Sequence, residues 1–332
     1  MLLVGLNPFG LTYTVGIQGH GTSRANPDGV GLEGFIHIAV DIGAQSIELP
    51  NIWLSNLSDE ELDALRGRLA DLDLVPVIGS GLVHEPPGAA IRGAVALGAK
   101  TIRLALTGLL CGDRGELGDH WPKMVEDTRN GLRDYAKMAR DADVWLAIEN
   151  HQDFGSEELL DFCEEAGPNV GICYDTGNSF PVAEAPIPFT HRIAPRVRHV
   201  HLKDYTVQFT DEGYRLVRCA FGDGAVPGDE IVKILDEHHD ALTASIEIAA
   251  LDARHIRLLT PGWWHGYPPI TGADLAACFA AARHNRLPSD VDHRTLWERE
   301  EEGPALVDYE LDQVRRSAKY LKEQGIMLGG RS

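Results

Sequence analysis

The residues best suited to chemistry are four acidic or imidazole side chains, each at or near the end of an apolar run. They are Glu149 in Ile148-Glu149-Asn150-His151, Asp175 in Tyr174-Asp175-Thr176-Gly177-Asn178, His201 in His199-Val200-His201-Leu202-Lys203-Asp204, and Glu247 in Ser245-Ile246-Glu247-Ile248. The runs are about four to six residues long and lie roughly 25 to 45 residues apart, which suits a repeating strand–helix unit. Such units bring consecutive strand ends to one rim of a barrel. Two Glu, one Asp and one His converging there form an oxygen-rich, single-nitrogen site. That set favours Mn²⁺ or Mg²⁺, and it does not distinguish them from Co²⁺ or Zn²⁺. A lone carboxylate in an apolar strand is expensive to bury without a partner, and Lys203 is the obvious cation nearby. Metal binding explains four such residues better than a set of buried salt bridges.

Side chains alternate along a strand, so Glu149 and His151 share one face, and His199, His201 and Lys203 share another. His151 is placed to carry a proton, with a ligand-orienting role as the alternative. His199, a layer deeper, reads as a packing residue. Lys203 would neutralise a metal-bound carboxylate or polarise a substrate oxygen. Glu48 in Ser46-Ile47-Glu48-Leu49-Pro50 is expected at the rim, bonding a substrate hydroxyl or anchoring a ligand. Asn178 could reach substrate or shape the turn after Asp175. Asn7 is a further substrate-binding candidate, and Arg103 and His20 are weaker ones. A divalent ion bridging two oxygens of a polyol would polarise a carbonyl and acidify the adjacent C–H. Returning that proton gives isomerisation or epimerisation; expelling a β substituent gives a lyase. These residues alone do not separate the two.

The elements that must position these groups read as eight strands: 3–7, 46–50, 75–80, 101–107, 144–151, 170–175, 197–204 and 244–249. Helical periods lie between several of them, as at 58–72, 91–98, 121–142, 156–167, 229–239 and 272–284. Ser58-Asp59-Glu60-Glu61 carries a capping-box start, and Gly167-Pro168 is a stop. This alternation predicts an α/β fold, a (β/α)8 TIM barrel with a long C-terminal extension. An open doubly wound sheet fits less well, because no G-x-G-x-x-G follows an early strand. The barrel is expected over 1–285 and a helical extension packed on it over 286–332. Two loops exceed a minimal barrel: 10–34, and an aromatic segment with Trp263, Trp264 and Tyr267. The aromatic rings should stack on a sugar or meet another subunit.

The formal charge of −20 argues against nucleic-acid or anionic-membrane partners, since no basic patch offsets it. Five cysteines without a C-x-x-C pair fit a reducing compartment. No apolar stretch reaches membrane-spanning length, and the first strand has no basic flank, so the expected location is the cytoplasm.

The motifs Ile-Glu-Asn-His, Tyr-Asp-Thr-Gly-Asn, His-Leu-Lys-Asp and the late Ile-Glu, in that order over about residues 1–250, resemble the xylose isomerase-like barrel superfamily of sugar isomerases and epimerases. Inosose dehydratases belong to the same group. The resemblance implies metal ligands at Glu149, Asp175, His201 and Glu247, with the two glutamates as bases in the epimerase branch. That branch usually has a further carboxylate after the first ligand; here Gly155 stands six residues on, and His151 is present instead. Glu-Asn-His and the long tail resemble the large subunit of bacterial C-glycoside deglycosidases. That likeness implies Mn²⁺, 3-oxo-glycoside substrates, His151 as the base for β-elimination, and a hetero-oligomer with a small β subunit contacting Trp263, Trp264 or Tyr267. A free keto-sugar isomerase, epimerase or dehydratase is the alternative. A non-catalytic sugar-sensing barrel should lack the positioned His151. Endonuclease-type members are disfavoured by the acidity.

Overall fold

Eight parallel strands close into a barrel in the computed structural model, which describes residues 1–327 except 84, 249, 285 and 289. In chain order the strands are β1 (Leu2–Leu6), β2 (Ser46–Pro50), β3 (Val75–Gly81), β4 (Thr101–Ala105), β5 (Trp145–Glu149), β6 (Val170–Asp175), β7 (Val197–Leu202), β8 (Asp204–Thr210), β9 (Gly213–Cys219), β10 (Leu242–Ile246) and β11 (Arg254–Ile256). The barrel runs β1-β10-β7-β6-β5-β4-β3-β2, and β11-β9-β8 form a small separate sheet. This is a TIM barrel with an additional C-terminal helix.

The strands are apolar because they are covered on both faces, inside by the barrel core and outside by helices. All of β6 is buried. Helix Asp59–Asp71 starts at the expected capping box of Ser58 and Glu61 and turns Leu62, Leu65 and Leu69 inward. Helix Trp121–Asp141 buries Leu132, Tyr135, Ala136 and Ala139 in the same way.

Differences from expectation gather at the rim. Strand β5 ends at Glu149 rather than His151. There the Asn150 side chain turns to the Asp175 backbone, and Gln152 takes a left-handed φ of 116°. Helix Gly31–Asp41 occupies the end of the expected 10–34 loop, and helix Pro186–Ile193 was not anticipated. The β8–β9 hairpin emerges where a simple β7–helix step was expected. Its turn, Asp211-Glu212-Gly213, needs glycine: Gly213 has φ 151°, and a Cβ there would sit 2.1 Å from the Ile256 carbonyl oxygen. Ala249, the expected end of the last barrel strand, and residue 285, the expected barrel boundary, lie outside the described residues, as do 328–332 of the expected extension.

Helix Pro304–Glu323 packs on the barrel through Val314, Ala318 and Leu321, while Leu306 packs with Tyr13 and Ala250. It also fastens the loop after β1. Buried Glu310 accepts from Tyr13 N (3.1 Å), Thr14 N (2.8 Å) and Thr14 Oγ1 (2.7 Å). Arg24 of the loop ion-pairs with Glu302 and lies 3.6 Å from the Trp297 ring centroid. Among the described residues, no helix is long and apolar enough to cross a membrane.

Replacing Glu310 by Ala orphans two buried backbone N–H groups. Glu310→Ala should lower the unfolding free energy by about 2–3 kcal/mol in urea melts, and Glu310→Gln by less. An unchanged midpoint in the alanine variant would remove the fastening role.

Candidate metal centre

Strand register brings the four donors together. Asp175 of β6 pairs with His201 of β7, Ser245 of β10 lies across from His201 on the other side, and Glu149 of β5 pairs with Cys173 of β6. Glu247 follows Ser245 by two residues, just past the end of β10. One ligand atom from each of Glu149, Asp175, His201 and Glu247 falls within 4.8 Å of all the others. All four residues are buried, Glu247 the least at 8% exposed.

Each donor is held from behind. His201 Nε2 donates to Glu48 Oε2 (2.8 Å), which leaves Nδ1 facing Glu247 Oε2 (2.8 Å) and Glu149 Oε1 (3.2 Å). A ring fixed this way offers Nδ1 to a cation. Asp175 receives Asn178 Nδ2 on Oδ2 (2.7 Å) and Gly177 N on Oδ1 (3.1 Å). Tyr205, at the foot of the hairpin, donates its hydroxyl to Asn178 Oδ1 at 3.2 Å. Asn150 Oδ1 accepts from Asp175 N (2.6 Å), and its Nδ2 donates to Asp175 O (2.9 Å). Thr176 Oγ1 accepts from Lys203 N (3.0 Å) and donates to Lys203 O (2.7 Å).

These contacts correct three substrate-binding expectations. Glu48 is 1% exposed, and its oxygens are taken by Arg103 Nε (2.9 Å), His199 (3.2 Å) and His201. Its contacts hold His201 from behind. Asn178 is fully buried on Asp175. Asn7 is fully buried too, with Oδ1 accepting from Phe9 N (2.7 Å) and Nδ2 3.2 Å from His201 Nε2. Glu48 and Asn178 hold His201 and Asp175, Asn7 lies beside a His201 Nε2 whose proton goes to Glu48, and all three are buried.

The aromatic expectation is corrected as well. Trp263 is 2% exposed, stacks on Tyr267 with centroids 4.4 Å apart, and donates Nε1 to Cys111 O (3.0 Å). Tyr267 donates to Gly112 O, and the Arg114 guanidinium lies 4.1 Å from its ring centroid. Half-buried Trp264 donates to Leu258 O at 2.7 Å. The rings cover the segment after β4, so Trp263 has no face free for a sugar or a subunit.

Lys203 is 2% exposed, and its Nζ contacts Asp175 Oδ2 and, at 2.6 Å, Glu247 Oε1. That is the carboxylate-neutralising geometry of its two expected roles. Arg103, a weak candidate by sequence, pairs with Glu48 and lies 3.5 Å from Glu149 Oε2. An arginine alone in the apolar strand Thr-Ile-Arg-Leu-Ala was the available signal, the counterpart of Glu48 in its own strand. Asn150, Thr176 and Tyr205 were missed because they act through backbone or through another side chain.

Charge explains why a cation fits. Glu48, Glu149, Asp175 and Glu247, counted as ionised, face Arg103, Lys203 and a His201 whose proton the site favours, so one negative charge stays uncompensated at full burial, and two once that proton is lost. Burial would discourage a proton on His201, but the surrounding acids raise its pKa well above the usual imidazole range. The same field attracts a divalent cation. The donor set of three carboxylates and one imidazole nitrogen suits a hard or borderline metal. Cys173 also lies beside His201, but burial pushes its thiol up to about 12, so it is not a thiolate donor at neutral pH.

His151 lies just beyond β5, half-buried, and interacts electrostatically with Glu149, Lys203 and Glu247. Burial lowers its pKa, and its buried Nδ1 has no hydrogen-bond partner among the described residues. The segment behind it is pinned by Gln152 Oε1, which accepts from Cys111 N (2.8 Å), and by Asp153 Oδ2, which accepts from Thr107 Oγ1 (2.7 Å).

A closed parallel barrel with four potential metal donors at its strand ends defines a class, and the comparisons agree with it. The chain belongs to the xylose isomerase-like TIM barrel family, whose model matches residues 36–260. It is similar to an inosose dehydratase of Bacillus thuringiensis (strain Al Hakam), 28% identical over 126 residues. That match covers 35% of this chain and 40% of the relative, well under two thirds of its length. Among solved structures, D-psicose 3-epimerase with D-tagatose from Clostridium cellulolyticum H10 shares the fold at TM-score 0.56 and 14% identity, over 89% of this chain and 94% of that one. The IOLI protein with a binding zinc atom does so at TM-score 0.53 and 14% identity, over 86% and 96%.

Two outcomes follow. Asp175→Asn should weaken Mn²⁺ binding at least roughly 100-fold and Asn178→Ala about 10-fold, read from the free-ion EPR signal; equal affinity in all three proteins would contradict the site. Separately, burial raises the Asp153 carboxyl from 3.8 to about 7. An acid whose folded pKa is raised loses stability as pH climbs from about 4 to about 7, here by up to about 4 kcal/mol. Urea melts of chelated protein should show that decline in the native chain and a smaller one in Asp153→Asn. Parallel curves would sink it.

Proposed function

We propose that this chain is a divalent-metal-dependent lyase that removes the proton α to a sugar carbonyl and expels a β substituent, acting on 3-oxo-glycosides. The observation that carries the reading is a single unpartnered base, His151, beside a four-donor centre whose opposite carboxylate is already engaged. Glu247 Oε1 is held by Lys203 and Oε2 faces Nδ1 of His201, where the cation would sit, and Gly155 stands where the epimerase branch has its further carboxylate. Two-sided proton exchange needs a free base on each face.

Glu149, Asp175, His201 and Glu247 would hold the cation. When bound, it supplies electrophilic polarisation of the sugar carbonyl, which acidifies the neighbouring C–H. Mn²⁺ is the ion we assign; the donor chemistry also accepts Mg²⁺, Co²⁺ or Zn²⁺. His151 takes the α proton, the C–H pair becomes the new C=C bond, and the β substituent leaves with its bonding electrons, to be protonated by solvent. Lys203 and Arg103 restrain Glu247 and Glu149 so that neither competes for that proton.

A second reading is a dehydratase of a free keto-inositol, in which the β substituent is hydroxide. The similarity to an inosose dehydratase supports it. Both readings share the first step.

His151→Ala should keep its metal by elemental analysis and lose about 10²- to 10⁴-fold in kcat. In D₂O, the native chain should release the β substituent of a 3-oxo-glycoside in a chelator-sensitive way. Deuterium uptake giving an epimer, with full activity in His151→Ala, would move the function to two-base epimerisation.

A further inference from the structure

We propose that Arg218 and Arg254, neighbours on the inner face of the β8-β9-β11 sheet, receive a carboxylate carried by the substrate. The enzyme then selects keto-glycosides of acidic sugars over neutral ones. This rests on the elimination reading above and names its substrate class.

Strand register places the pair. Tyr205 lies opposite Arg218, and Arg254 lies opposite Leu216, two residues back along the same strand. Paired residues and alternate residues share a face, so Tyr205, Leu216, Arg218 and Arg254 point to one side. That side is the inner one, since Tyr205, Val207, Tyr214, Leu216 and Ile256 are all fully buried on it. Cations on the opposite face are satisfied: Arg215 pairs with Glu298 (2.6 Å), and His255 reaches Glu212 (3.8 Å). Among the described residues, Arg218 and Arg254 have no ion pair of that kind. Arg218 is 8% exposed, and its guanidinium donates only Nη1, to Asp252 O (3.2 Å). Half-buried Arg254 keeps a buried Nε without an acceptor.

Two like charges are thus set together with most of their donors unspent, which is expensive unless an anion joins them. Burial first, and then the charge of Arg218, lowers the pKa of Arg254; exposed Asp252 opposes this only through space. The pair also stands beside the metal centre. Tyr205, opposite Arg218, donates to Asn178, which holds Asp175. Arg254 interacts electrostatically with Cys111, whose N–H is bonded to Gln152, the residue after His151. A substrate seated on the four donors is therefore flanked by these guanidiniums. A planar carboxylate matches the guanidinium fork with two parallel hydrogen bonds. A dianionic phosphate fits less well, because the acids of the mouth repel the second charge.

Arg254→Met keeps the apolar stem and removes the charge, and Arg218→Met is an independent second variant. Two measurements on the Mn²⁺-loaded full chain test the assignment. One is calorimetric titration with D-glucuronate, D-glucose and inorganic phosphate. The other is the kcat/KM ratio of methyl 3-oxo-glucosiduronate to methyl 3-oxo-glucoside. The expected result is saturable glucuronate binding, tighter than that of glucose, with affinity and ratio both falling roughly 10- to 100-fold in either variant. Urea midpoints of both variants should equal or exceed the native one, because an unpaired charge is removed. Lower midpoints with an unmoved ratio mark a purely structural pair and overturn the assignment. Phosphate binding tighter than glucuronate overturns it as well. Release from both glycosides with an unmoved ratio fails the anion site and keeps the lyase. Glucuronate binding that is lost in both variants, without release from any keto-glycoside, keeps the anion site and fails the lyase.

Discussion

The constraint on which the rest depends is the burial of four carboxylates in one barrel mouth against two fixed cations. Desolvating such a cluster is expensive, and attraction offsets the cost only where geometry and hydrogen bonding are complete. The second layer supplies that completion. Glu48 is neutralised by Arg103 and spends its other oxygen on His201, Asn178 and the Gly177 N–H hold Asp175, and Lys203 bridges Asp175 and Glu247. What remains, once His201 is neutral, is a double negative charge facing one imidazole nitrogen, a demand that a divalent cation meets.

The barrel alone does not build this centre. The β8–β9 hairpin brings Tyr205 to Asn178, and so to Asp175, across a stretch that a minimal barrel would spend on a plain connection. The terminal helix reaches around to the first loop through Glu310. Both additions pack on the core and also hold groups at the rim, where loops tailor a site.

The donors were legible in the sequence because each is a charged or imidazole residue ending an apolar run, and the repeat of that pattern implies a barrel. Their supports were not. Glu48, Asn7 and Asn178 are polar residues near the same rim, and only the nonlocal partner, His201 or Asp175, distinguishes a group that positions a ligand from one that meets substrate. Trp263 misled for a related reason: an aromatic loop predicts that something is covered, and here the covered thing is the chain's own segment at Cys111 and Gly112. The hairpin carried a readable signal in the alternation either side of Asp211-Glu212-Gly213, masked by its direct continuation from β7.

The most direct measurement is anomalous X-ray diffraction from crystals grown with Mn²⁺, at wavelengths on either side of the manganese edge. The account predicts one strong peak coordinated by Glu149, Asp175, Glu247 and Nδ1 of His201, with Nε2 still on Glu48. A peak elsewhere, or none at full manganese loading with Lys203 still bridging Asp175 and Glu247, would contradict it.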